Sequence, residues 1–269
     1  MGRHPLCRLN AVCALILCGA LSAGPAPAAD MTARQVTTAL YGASEAAPLD
    51  FTRRNLAGLD LAGLKFKKAR LAEADLFGAD LTSADLTGSN LHAARLDRVT
   101  MIGARFDHAD LSGASLLRPT AATSFEGHRS EAPSFAGADL TGARLFGIFT
   151  GGNFANARMA GATLAPASET GFIEMLWRSR LDSADLSGSD LTGANLTHVS
   201  LRFANLKGAK LAGAVLRNAD LSRADLTGAD VTGADMSRAD LDGAILTGVT
   251  GLATVSGQET IRNRDKAIN

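Results

Sequence analysis

The chain of 269 residues is poor in aromatic bulk, with one Trp, one Tyr and 11 Phe. A conventional core of this size uses more large rings, so the core here must be unusually uniform. All three cysteines, Cys7, Cys13 and Cys18, lie in one N-terminal segment. The rest of the chain has no thiol for a disulfide, a nucleophile or a metal site. Charge of one sign is also lacking: 27 basic residues balance 27 acidic ones. That excludes a nucleic-acid binder by bulk charge and a strongly acidic mimic of nucleic acid. Catalytic signatures are missing too, with no GxSxG, HExxH, P-loop or GxGxxG setting. Gly42-Ala43-Ser44-Glu45-Ala46 comes nearest to a nucleophile motif, and no strand-turn-helix pattern surrounds it.

Long apolar runs are absent as well. The longest, LNAVCALILCGALSA, has about fifteen residues, fewer than the ~20 a membrane-spanning helix needs. It follows Arg3 and Arg8 and ends in GPAPAAD, where Ala26-Pro27-Ala28 fits a small-x-small cleavage site. Residues 1–28 therefore read as a secretory signal peptide. The alternative is an uncleaved anchor. A lipoprotein reading is weak, because Leu17 precedes Cys18 where a small residue is needed. Cleavage would leave 25 basic against 27 acidic residues, no cysteine and no transmembrane segment. The expected destination is the periplasm or the exterior.

What the chain has is a period of five. A large apolar residue recurs without a slip from Phe51 through Leu56, Leu61 and Phe66 to Leu116, and again from Leu181 to Leu246. Shorter runs lie between, at Phe135, Leu140, Leu145 and at Phe149, Phe154, Met159, Leu164. Two positions before each centre the residue is usually Ala, as at Ala74, Ala79, Ala204 and Ala214. Five residues advance about 500° on an α-helix, so the leucines would wander round its surface. On a strand, an odd step flips each leucine to the other face. The centres stay on one side only if the chain turns once per repeat. Centre and centre-minus-two then point inward, the residue between them points outward, and the next two form a corner, often Thr-Gly or Ser-Gly.

ADLSG at 184–188, ANLTH at 194–198 and ADLTG at 224–228 carry a resemblance. The chain resembles the pentapeptide-repeat proteins, whose signature is A-(D/N)-L-x-x, over most of 49–248. The resemblance implies an all-β solenoid, a right-handed quadrilateral β-helix with four repeats per coil. About 200 residues make at most about ten coils, a rod roughly 45 Å long at the ~4.8 Å strand spacing. Buried leucines contribute ~1.5–3 kcal/mol each and offset the ordering of some twenty residues per coil, so stacked coils stand where one would not.

The aspartates Asp225, Asp230, Asp235 and Asp240 then fall on four different sides and do not converge. A short carboxylate beside a turn bonds nearby backbone N–H groups, so their role reads as shape rather than chemistry. A calcium ladder is rejected, because the GGxGxDx spacing is missing.

The organisation expected is a signal peptide (1–28), an N-terminal cap (29–48), repeats (49–116), an insertion (117–134), irregular repeats (135–164), a second insertion (165–180), repeats (181–250) and a C-terminal tail (251–269). A short helix over 30–41, capped by Asp30 with Val36 and Leu40 on one face, would form the lid. The tail reads as thin cover. The one-residue slip between Leu145 and Phe149 suggests a bulge or a tightened corner.

The second insertion holds the strongest apolar cluster outside the repeats: Phe172, Ile173, Met175, Leu176 and Trp177, followed by Arg178. It reads either as a short helix packed on the solenoid wall or as a partner-contact site, since Trp and Arg are enriched in binding hot spots. Of the histidines, His92, His108 and His198 sit at outward or corner positions, and His128 lies in the first insertion. No catalytic, cofactor-binding or metal-binding residues are assigned, and the chain is not expected to be an enzyme. The expected role is an exported, non-catalytic solenoid that binds an unknown protein partner or scaffolds the cell envelope, with no nucleic acid. Some members of the family mimic DNA and act on gyrase. Export and the mixed charge of 181–246, nine Asp against six Lys and Arg, speak against that here.

The inside-outside assignment predicts that Ala214→Leu overpacks the core and lowers the melting temperature more than Thr227→Leu on the outside, by about 1–3 kcal/mol in stability. Equal melting temperatures would refute the assignment.

Overall fold

A computed structural model describes residues 28–121, 131–166 and 178–268. Each five-residue unit closes a turn in which the third residue after a centre donates its N–H to that centre's carbonyl, as Ala79 does to Leu76 at 3.0 Å. Such a turn needs positive φ at the residue before the donor. That residue has positive φ after almost every described centre from Phe51 to Leu246, whether Gly78 (φ 64) or Arg98 (φ 58). The exceptions follow Leu145 and Leu164, where the slip and the second insertion begin.

Successive coils stack in parallel, with a register of twenty residues wherever no insertion, slip or terminal coil intervenes, giving four ladders of bridges. Side one runs from Asp50 through Arg70 and Asn90 to Thr250, and side two from Asn55 through Asp75 to Ser256. Side four runs from Lys65 through Asp85 to Ile268. Side three has two pieces, Asp60 to Thr120 and Ile148 to Arg262, with no bridge joining Thr120 to Ile148. The extended strands β1 (Ser115–Leu117) and β2 (Arg144–Phe146) pair in parallel on side two, just before that gap.

The centres and their alanines form one continuous core. Ala214 is fully buried, and Thr227 is half-buried outside it. Where the first insertion leaves the wall, rings replace leucines. Phe106, Phe135 and Phe154 stack along side four at 5.0 and 4.9 Å between centroids, and Phe149 meets Phe135 edge-on at 6.4 Å. Such pairs add ~0.5–1.5 kcal/mol each beyond their burial, so the core continues past the interruption.

At the N-terminal end, helix α1 (Ala33–Gly42) buries Val36 and Leu40. Its cap is Thr32 and not Asp30: the Thr32 hydroxyl accepts from Gln35 N, and the Gln35 side chain accepts from Thr32 N. Asp30 instead pairs with the first coil, its carboxylate accepting from Asn55 N at 2.9 Å. At the other end, residues 250–268 wind a tenth coil with six residues per side. Its 3-10 turns are Leu252–Thr254, Gln258–Thr260 and Arg264–Lys266. The longer step places hydroxyls under the ninth coil: Thr254 and Thr260 accept from Gly233 N and Arg238 N at 2.9 and 3.0 Å. Gly257 (φ 72) permits this stacking, since a Cβ there would lie 2.2 Å from Ser237 Oγ.

Candidate binding groove on the third side

Most side-chain chemistry on the walls is turned inward upon the fold. The outward Asp or Asn accepts the N–H two residues on, at 2.9 Å for Asp75 and Phe77 and at 3.0 Å for Asp225 and Thr227. The Thr227 hydroxyl donates to the same oxygen at 2.6 Å. Burial pushes the Asp225 carboxyl up, but the two Thr227 bonds and Lys207 outweigh it and hold it below its ordinary 3.8. At Asp230 the Thr232 hydroxyl and N–H lower the carboxyl against a smaller desolvation. Asp235 is lowered in the same way, with burial opposed by Ser237 and Arg217.

Basic residues sit among these carboxylates. Arg70 pairs with Asp50 at 3.1 Å, Arg95 with Asp75 at 3.3 Å, and Arg217 with Asp235 at 2.8 Å. These pairs are largely exposed and contribute little each. Their effect is to leave no uninterrupted acidic column.

Side three departs from this pattern. The start of the first insertion (Arg118, Pro119), the slip (Phe146, Gly147, Ile148) and the return of the second insertion (Arg178, Arg180) lie together there. With Asp182, Ser200, Arg202 and Asp220 they line a groove of about 520 Å³. Pro119 occupies an inward position and is buried. Its ring fits over the next coil because a Cβ at Gly147 would stand 2.8 Å from Pro119 Cδ. Ser179, fully buried, fixes the returning chain by donating to the Leu164 carbonyl at 2.6 Å.

The charges in the groove divide into two kinds. Arg180 forks onto Asp182 at 2.8–2.9 Å, and Asp182 also accepts from the Ser200 hydroxyl and from Arg202 N. The Arg202 side chain lies 3.9 Å from Asp220. Arg118, held at φ 54, and Arg178 are exposed, and neither has an ion pair or hydrogen-bonding side-chain partner among the described residues. Beside the groove Phe203 is 48% exposed at φ 58, with the guanidiniums of Arg202 and Arg223 at 5.7 and 5.5 Å from its ring. A bulky residue held in that conformation costs ~1–2 kcal/mol.

Of the residues singled out as a partner-contact site, Arg178 lines the groove. Phe172, Ile173, Met175, Leu176 and Trp177 lie outside the described residues, as does His128. His92 bonds Ser112 across coils at 2.9 Å, and the three described histidines do not assemble a site. Among the described residues no cluster of three metal-ligating side chains occurs, and no helix is long and apolar enough to cross a membrane. Reading the sequence alone missed Arg118, Arg180 and Arg202, because it does not show which side of the coil each interruption reaches.

The family model for pentapeptide repeats matches the chain in eight copies, over residues 55–92, 79–116, 178–218 and 209–248. No curated protein matches it. Among solved structures it is similar to HetL, a pentapeptide repeat protein involved in heterocyst differentiation regulation from the cyanobacterium Nostoc. Identity is 25%, covering 88% of this chain and 94% of that one, with a TM-score of 0.43. It is also similar to full-length QnrB1, a plasmid-mediated fluoroquinolone resistance protein, at 17% identity, 74% and 89% coverage and a TM-score of 0.35. A third similarity is to Rfr23, a pentapeptide repeat protein of the cyanobacterium Cyanothece, at 24% identity, 48% and 63% coverage and a TM-score of 0.22.

The lowered carboxyls set an acid response. A group whose folded pKa is depressed stabilises above its unfolded value and loses that contribution as pH falls through the folded one. The melting temperature should therefore hold steady from neutral pH down to about the ordinary 3.8 of Asp225, Asp230 and Asp235 and fall below it. Asn keeps the acceptor oxygen without titrating, so the triple variant Asp225→Asn, Asp230→Asn, Asp235→Asn should flatten the acid slope in thermal melts. An unchanged slope would assign the acid loss to other groups.

Proposed function

Because the chain belongs to the pentapeptide-repeat family, we propose that it acts without catalysis, as an exported protein-binding or scaffolding module of the cell envelope. In this reading residues 1–28 direct export, the β-helix is right-handed and α1 is its N-terminal lid. The supporting observation is that three separate breaks in an otherwise regular solenoid meet on one side, around two arginines with no acidic partner among the described residues. Solenoids bind through insertions and broad faces, and this is the side where insertions and wall coincide. A DNA-mimicking, gyrase-interacting role fits less well, because Arg70, Arg95 and Lys210 interrupt the acidic columns and Arg217 pairs with Asp235.

The test is a crosslinking pull-down from the envelope fraction with the mature chain and with a chain lacking residues 167–178, each checked for an intact melt. The expected result is a partner captured by the first and reduced about tenfold or more with the second, equivalent to ~1.4 kcal/mol. Capture by neither chain contradicts the binding role.

A further inference from the structure

The groove on side three also specifies the chemistry of what would fill it. Four arginines and two aspartates line it, and both aspartates are engaged by Arg180 and Arg202. Among the described residues, Arg118 and Arg178 are the two lining cations without an acidic partner. A guanidinium presents a planar fork that a carboxylate or phosphate matches with two parallel hydrogen bonds.

The rest of the lining separates these two anions. Phe146, Ile148 and the buried Pro119 add an apolar surface that a headgroup phosphate would not use. Main-chain groups are also left over. Every regular ladder residue on this side donates to the preceding coil, as Ser200 N does to the Ser179 carbonyl at 2.9 Å and Asp220 N to Val199 at 3.0 Å. Ile148 lacks that bond. Among the described residues its N–H and its C=O have no hydrogen-bond partner, because the ladder does not join it to Thr120. An unpaired donor and acceptor beside each other are the complement of a peptide unit. The volume of about 520 Å³ suits a short extended segment.

We propose that the side-three groove binds an extended acidic segment of a partner protein, with its carboxylates on Arg118 and Arg178 and an apolar side chain against Phe146 and Ile148. This rests on the binding-module reading and names the chemistry of the partner.

The test is selection of a displayed library of random peptides, about ten residues long, on the immobilised mature protein. It is repeated on Arg118→Glu/Arg178→Glu and on the neutral pair Arg118→Gln/Arg178→Gln. Both pairs replace exposed side chains, and unchanged melts verify folding. The expected result is enrichment of peptides with two or more Asp or Glu beside an apolar residue, bound about tenfold or more weakly by the Glu pair and less weakly reduced by the Gln pair. Basic or neutral winners overturn the proposal, as does enrichment that survives both pairs. Binding to anionic phosphatidylglycerol vesicles without acidic peptide enrichment assigns the arginines to a lipid surface and overturns it too. If no acidic peptide is enriched while the envelope pull-down still yields a partner that depends on 167–178, the acidic-segment proposal falls and the binding-module reading stands. If neither yields binding, both fall.

Discussion

Everything in this molecule hangs on one backbone conformation repeated every fifth residue. The second residue after almost every described centre goes left-handed, the chain turns a corner, and the next residue closes the turn onto the centre's carbonyl. Glycine takes that conformation freely, whereas an L-residue there costs ~1–2 kcal/mol. The fold tolerates Arg, His and even Phe at corners because the bonds above and below fix each one. Once the corner is set, the rest follows. Leucine and alanine face a common interior, successive coils stack with a register of twenty, and each aspartate stands beside the N–H it accepts. The carboxylates at every fifth position therefore serve shape, and most of the lysines and arginines near them temper the charge.

The same constraint explains where the solenoid can be interrupted. The left-handed corner is missing after Leu145 and after Leu164. There the chain does not close the regular turn; on side three no bridge joins Thr120 to Ile148, and the ladder resumes from Ile148 to Arg180. The core does not break with it, because the ring column of Phe106, Phe135 and Phe154 runs past on side four. The result is a continuous interior under a locally open wall. That combination leaves Ile148 with no bridge to the preceding coil, and Arg118 and Arg178 with no acidic partner among the described residues, while the rod as a whole stays packed.

Much of this was legible in the sequence. The period of five, the inward pair and the local role of the aspartates follow from parity and turn chemistry, and the buried Ala214 and the Asp225–Thr227 bonds agree with them. Three features were not legible, each for a physical reason. Asp30 looks like a helix cap by residue type, yet Thr32 has Gln35 three residues on and completes a reciprocal box, which leaves Asp30 to the first coil. Residues 250–268 wind on with six per side, and Thr254 and Thr260 become recognisable only when their hydroxyls are seen under Gly233 and Arg238. The groove was hidden because side assignment requires counting through a slip and two insertions, and a one-residue error moves every later residue to a different place on the coil.

The central claim is that side three, and no other, meets the partner. Photocrosslinking in cells tests it most directly, with benzoylphenylalanine placed singly at Arg118, Arg178 and Arg202 and, for comparison, at the exposed corners Thr141 and Lys207 on other edges of the rod. The account predicts one discrete adduct from the three groove positions and none from the two controls. Adducts from Thr141 or Lys207 with none from the groove, or no adduct from any position, would contradict it.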